Sequence, residues 1–281
     1  MHLVLFSPKV ILKSDVEALW AIQPRRICFA STHRDQPKRS APPHVGKFEV
    51  PFDNTVGRQF EADTGLTLRP SKFQGVWRPI QSEDEFVAIQ NWTARQGTRV
   101  FIRDCLDMSV ALDVNLVDNQ SGQYTELGAL EARAKARQDD AAVQELAQAC
   151  YRAICNLSGY RDARYVASVP ARLGKGYDLP AAIADRVSAL SGLENVTNRF
   201  TFAHDKGALK GLPLDQKWDA LEKAGLTFSP NLPRGASIIL IDDKYQSGVT
   251  MQFVASRLYL AGASEVLGLC VVKTLRDTDN Q

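Results

Sequence analysis

Four apolar residues in unbroken succession, Ile238, Ile239, Leu240 and Ile241, run straight into two carboxylates, Asp242 and Asp243. A run without alternation leaves no face for solvent. It predicts a strand covered on both sides, as in a parallel sheet. A polar segment follows, Lys244, Tyr245, Gln246, Ser247 and Gly248, and then a helical pattern in which Met251, Val254, Leu258 and Ala261 share one face. Gly262 is placed to end that helix. Val266, Leu267, Leu269, Cys270, Val271 and Val272 read as the next strand. Strand, loop, helix and strand in this order constrain the chain to an α/β fold, and open sheets of that kind bind ligands at the carboxyl ends of their strands.

The loop suggests an anion cradle. Residues 246–250 offer backbone N–H groups, the hydroxyls of Ser247 and Thr250, and the positive end of a helix dipole. Gly248 lets the backbone approach a phosphate closely. Asp242 and Asp243 would repel a phosphate set directly on them. They suit what lies beside it: sugar hydroxyls, a Mg2+ ion or a developing positive charge. An ordinary doubly wound unit with an acidic strand end is the competing reading.

An apolar strand, two acids and a Ser-Gly-x-Thr loop resemble the signature of the phosphoribosyltransferase family. Asp242 and Asp243 match its acid pair, and Ser247, Gly248 and Thr250 match the loop that holds the 5′-phosphate of phosphoribosyl pyrophosphate (PRPP). Two departures stand out. Gln246, Ser247 and Gly248 replace the commoner Thr-Thr-Gly, and Lys244 stands where the family usually has an apolar residue. The Gln-Ser-Gly form is most similar to the ComF-like branch. The resemblance covers about residues 126–276. It implies a type I phosphoribosyltransferase fold, a parallel-sheet Rossmann-like core over residues 123–281, behind an N-terminal α+β domain over residues 1–122. It also implies catalytic roles for Asp242 and Asp243, 5′-phosphate binding by Gln246, Ser247, Gly248, Val249 and Thr250, and Mg2+ as cofactor, met by the two acids directly or indirectly.

A second loop fits the same picture. Tyr165, Val166, Ala167, Ser168 and Val169 read as a strand, followed by the basic, Gly-containing segment from Pro170 to Gly176. Asp178 reads as a helix N-cap with Pro180 in the first turn. Leu179, Ile183, Val187 and Leu190 would line the helix's inner face. This loop resembles the family's pyrophosphate grip. That likeness implies that Ala171, Arg172 and Lys175 bind pyrophosphate and neutralise it as it leaves. A plain surface turn with two solvated bases is the alternative. The polar segment from Ala203 to Leu212 lies where the family places a mobile loop over PRPP. Lys206 and Lys210 are its candidate pyrophosphate ligands, with His204 a weaker one.

Elsewhere the residues say less. Short strands are expected at 3–6, 10–12 and 27–30, a solvated Pro-stiffened loop at 31–46, and a helix capped by Ser82 with Glu85 three residues on. A strand is expected at 98–103, a half-exposed alternating strand at 108–116, and another strand at 195–202. By resemblance, residues 1–122 would supply the family's variable cover over the acceptor base. The 281 residues, 44% hydrophobic and 23% charged, suffice for a large core or two domains. Five cysteines without a C-x-x-C pair suggest reduced thiols in a cytoplasmic protein and no structural zinc. No apolar run has transmembrane length, so no membrane contact is expected, and the start lacks the basic lead of a signal peptide.

Three functional readings follow. The first is an Mg2+-dependent enzyme acting at ribose C1′ of PRPP or a nucleotide. The second is a toxin or effector of a bacterial anti-phage system with a DprA-like protein partner, or a ComF-like regulator of DNA uptake. It comes from the resemblance and from the large unassigned N-terminal part. The third, nucleic-acid binding through Arg34, Lys38 and Arg39 and the segment from Lys72 to Arg78, would need a concentrated basic face. The acceptor is not legible, and the oligomeric state stays open, a homodimer among the alternatives.

Overall fold

The computed structural model describes residues 9–31, 35–72, 75–207, 209 and 211–275. In chain order the elements are α1 (Lys13–Ala21), β1 (Arg26–Cys28), β2 (Lys38–Arg39), β3 (Gly46–Val50), α2 (Val56–Thr64), β4 (Arg69–Pro70), β5 (Val76–Ile80), α3 (Glu83–Gln96), β6 (Val100–Ile102), β7 (Met108–Val114), α4 (Glu126–Arg137) and α5 (Asp140–Asn156). The remainder are β8 (Tyr165–Ser168), α6 (Leu179–Ser191), β9 (Glu194–Asn195), β10 (Phe200–Phe202), α7 (Leu214–Lys223), β11 (Leu226–Phe228), β12 (Ala236–Tyr245), α8 (Val249–Leu260) and β13 (Ala263–Lys273).

The chain is an α/β protein built on a seven-stranded sheet in the order β1-β6-β7-β13-β12-β8-β9. From β7 to β9 every pairing is parallel, while β1 and β6 join antiparallel at one edge. The unbroken apolar run behaves as expected. Ile239 and Ile241 pack with α4, α5 and α6, and Ile238 and Leu240 with α7 and α8, all four fully buried. Both faces of β12 are therefore core, which is why its residues show no alternation. Asp178 caps α6, its carboxylate accepting from Ala181 N–H, with Pro180 in the first turn. Asp139 caps α5 in the same way.

The N-terminal third departs from expectation at several points. Residues 10–12 are not a strand but lead into α1, a helix with only Val16 buried and hence little periodicity to read. The strand β7 is not half-exposed. It lies inside the main sheet between β6 and β13, and Ser109 and Ala111 are as buried as Met108 and Val110. Its alternation is one of side-chain size: Ser109 stands beside Gly268 of β13, where a Cβ would come within 2.7 Å of the Ser109 hydroxyl. Strands from both sides of residue 122 thus share one sheet.

The segment 31–46 contains β2, part of a small sheet β2-β3-β5-β4, and its bases are engaged. Lys38 pairs with Glu49, and Arg39 pairs with Glu83 while stacking on Phe86. Arg34 and Phe73 lie outside the described residues. Trp77 is half-buried and Arg78 pairs with Glu85. Ser82 caps α3 by accepting from Glu85 N–H, but the Glu85 carboxylate turns to Arg78 and the Gln81 N–H rather than closing the box. The expected strand at 195–202 is split: β9 ends the main sheet, a short 3-10 turn intervenes, and β10 pairs with β11 instead. All five cysteines are free thiols. No helix among the described residues is long and apolar enough to cross a membrane.

Candidate active site

The carboxyl ends of β8 and β12 border a cleft of ≈ 450 Å³. Ala171, Arg172 and Lys175 enter it from the loop after β8, Lys206 from the segment before α7, Asp242 and Asp243 from β12, and Gln246 and Thr250 from the loop and first turn of α8. Two loops some 70 residues apart in sequence thus meet around one acid pair. A smaller hollow of ≈ 200 Å³, also bordered by Asp242, Gln246 and Thr250, is lined in addition by Ser247, Gly248 and Lys217 of α7.

Not every expected residue is where the resemblance implied. Val249 turns its side chain wholly into the core, so only its backbone can serve a ligand. The Ala171 N–H already donates to Asp178 Oδ2 at 3.1 Å and is not free for pyrophosphate. His204 lines neither cavity. Lys210 lies outside the described residues. None of the described residues of the expected cover, 1–122, lines the cleft, whose described lining begins at Lys135.

The acids are part of β12 rather than beyond it. The twofold repeat of a strand puts Asp243 on the face of Ile239 and Ile241, toward α4. There it meets Lys135, whose Nζ lies 2.5 Å from Asp243 Oδ2. Lys135 is also 3.4 Å from Glu131 one turn back, and Glu131 in turn lies 2.8 Å from Lys244 Nζ. Burial opposes the charge on Lys135, yet Asp243, Glu131 and Asp242 outweigh it and push the ammonium up to about 12. Burial first, and the adjacent Asp243 second, hold Asp242 well above the ordinary carboxylate range.

Lys206 is positioned by donation to Pro170 O at 2.8 Å and by the Phe202 ring beneath it. Its burial lowers its proton affinity, while Asp242 and Asp178 raise it.

The loop of residues 246–250 is braced from behind. Gly248 adopts φ +75° as the N-cap of α8, and the Tyr245 ring packs directly beneath it. The Tyr245 hydroxyl donates to Asp104 Oδ2 at 3.0 Å. Gln252 links two segments: its Nε2 donates to Gly248 O and its Oε1 accepts from Cys105 N–H.

Lys135, Glu131 and Lys217 escaped the reading of the sequence. One signal was present. Glu131 falls between Gly128 and Ala134 in the buried stripe of α4, and an acid in a buried stripe requires a cationic partner.

No family model matches the chain, and neither does any curated protein.

Among the described residues no group of three or more His, Cys, Asp or Glu could hold a metal. Asp242 and Asp243, the second already on a lysine, would offer a cation only one or two protein ligands.

Proposed function

We propose that this chain binds PRPP, or a nucleotide with the same 5′-phosphoribosyl group, and acts at ribose C1′ as a phosphoribosyltransferase of the type I fold. The observation that carries this reading is the convergence of two anion-suited loops on either side of an acid pair in one cleft. Its volume falls within the range of small-molecule sites.

The 5′-phosphate sits in the loop of residues 246–250, taking backbone N–H groups and the positive end of the α8 dipole. The ribose lies over Asp242 and Asp243. Arg172, Lys175 and Lys206 gather round the pyrophosphate, and their charges count most as the leaving group gains negative charge. Positive charge grows on the sugar at the same moment, and the two aspartates face it. The acid pair is placed to stabilise that charge or to take a proton from a nitrogen nucleophile. Asp242 and Asp243 are also the residues that would hold Mg2+, which when bound supplies charge neutralisation for the diphosphate.

Isothermal calorimetry tests the reading. The wild type takes up PRPP in Mg2+, and Asp242→Asn combined with Asp243→Asn loses that binding. Equal heats from the two proteins would reject the proposal.

A further inference from the structure

The acid pair comes with its own cation. Asp243 is almost fully buried, and of the described groups Lys135 is the one that forms an ion pair with it. That lysine belongs neither to the two loops nor to the strand, but to α4, held against β7 and β13 and capped by Thr125, whose hydroxyl accepts from Gly128 N–H. Glu131, 1% exposed, anchors the lysine from below and is itself shared with Lys244. The result is a ladder, Lys244 to Glu131 to Lys135 to Asp243, in which two ammonium groups alternate with two carboxylates, and Asp242 adjoins its end as a third acid.

Two adjacent carboxylates in a cleft ordinarily attract a divalent cation or share a proton. Here one carboxylate oxygen of Asp243, Oδ2, is already held by an ammonium. Lys244, the departure from the family pattern, has its place in the same ladder. It neutralises the buried Glu131 and so allows Lys135 to lean toward the cleft.

We infer that Lys135 is a positioning residue that serves as the acid pair's built-in counter-ion, so that the protein alone holds no divalent cation there and any Mg2+ enters only with the substrate's phosphates. The role of the pair toward a sugar rests on the function proposed above; the exclusion of a free cation does not.

The test uses the full chain and Mn2+ alone, followed by the loss of its free-ion electron paramagnetic resonance signal. Wild-type protein leaves the signal intact. Lys135→Met removes the counter-ion and binds Mn2+ roughly tenfold more tightly or better. Adding Asp243→Asn to that variant abolishes the gain, and Lys135→Arg, which keeps the charge, behaves as wild type. The Lys135 side chain is part-exposed, and matching thermal melts establish that the variants are folded. Should Lys135→Met fail to unfold yet bind Mn2+ no better than wild type, the counter-ion role is overturned. The same holds if wild type already binds it as tightly as the variant does. A second arm measures PRPP binding against Mg2+ concentration. Wild type that ignores PRPP refutes the sugar-phosphate reading and leaves the Mn2+ result to decide on Lys135. Wild type that binds PRPP, beside a Lys135→Met variant with an unchanged Mg2+ requirement, refutes the inference alone.

Discussion

Gly248→Ala is the sharpest probe of the loop, because its cost can be worked from the structure. At φ +75° an L-residue is strained by about 1 kcal/mol relative to glycine. The new Cβ would lie 2.0 Å from the Tyr245 hydroxyl oxygen and 2.2 Å from its Cζ. Carbon contacts relax only near 3.5 Å, so loop and ring must part by roughly 1 Å or more. Tyr245 is buried, and its hydroxyl is bonded to the buried Asp104. Pushing it off that carboxylate forfeits a charge-assisted bond worth about 2 kcal/mol. The sum is about 3 kcal/mol, a large loss for one methyl group. Urea unfolding should show it as a lower midpoint at unchanged slope. If the ring holds and the loop yields instead, the backbone N–H groups retreat from the phosphate, and PRPP affinity falls by roughly a hundredfold. A variant within about 0.5 kcal/mol of wild type that binds PRPP equally well refutes the packing of Tyr245 under the loop.

Two further outcomes are expected. Burial raises the Asp104 carboxyl to about 6, with its hydrogen bonds opposing. The folded state therefore holds that proton longer than the unfolded one, and stability falls as pH climbs from about 4 through about 6, by about 3 kcal/mol in total. Asp104→Asn should remove that part of the slope in urea midpoints taken between pH 4 and 7.5, and an unaltered slope counts against it. Lys217, buried beside Ser247 and Gly248, should act on the 5′-phosphate. Lys217→Met is expected to weaken PRPP about tenfold or more while leaving inorganic pyrophosphate binding unchanged, and equal weakening of both ligands would place the lysine elsewhere.

What was legible follows from how each feature is encoded. The strand β12, the loop after it and α8 could be read because burial on both faces leaves an uninterrupted apolar run, and because Gly248 and Gly262 punctuate it locally. The basic turn after β8 was legible for the same reason, through Pro170, Gly174 and Asp178. Lys135 and Lys217 were not, because a lysine on a helix looks solvated until a tertiary contact shows otherwise. The topology of residues 1–122 was hidden too. The strands β1 and β6 span three residues each, too short for any period, and the size alternation of β7 imitates exposure.

That hidden region governs the site although none of its described residues lines the cleft. Asp104 holds Tyr245 beneath Gly248, the Cys105 N–H holds Gln252, and Gln252 holds the Gly248 carbonyl. Asp107 accepts from the Tyr259 hydroxyl and from Val266 N–H, tying the same turn to α8 and to β13. Three acceptor or donor groups within four residues thus fix one end of the loop of residues 246–250, the helix behind it and the neighbouring strand. Buried hydrogen bonds of this kind are costly to leave unmade. A perturbation of the turn at 104–107 therefore reaches the loop as a change in its backbone geometry, not through any contact with ligand. The N-terminal strands are then the rigid support against which the loop of residues 246–250 keeps its shape. Altering them should shift phosphate affinity while leaving the acid pair and its lysine untouched.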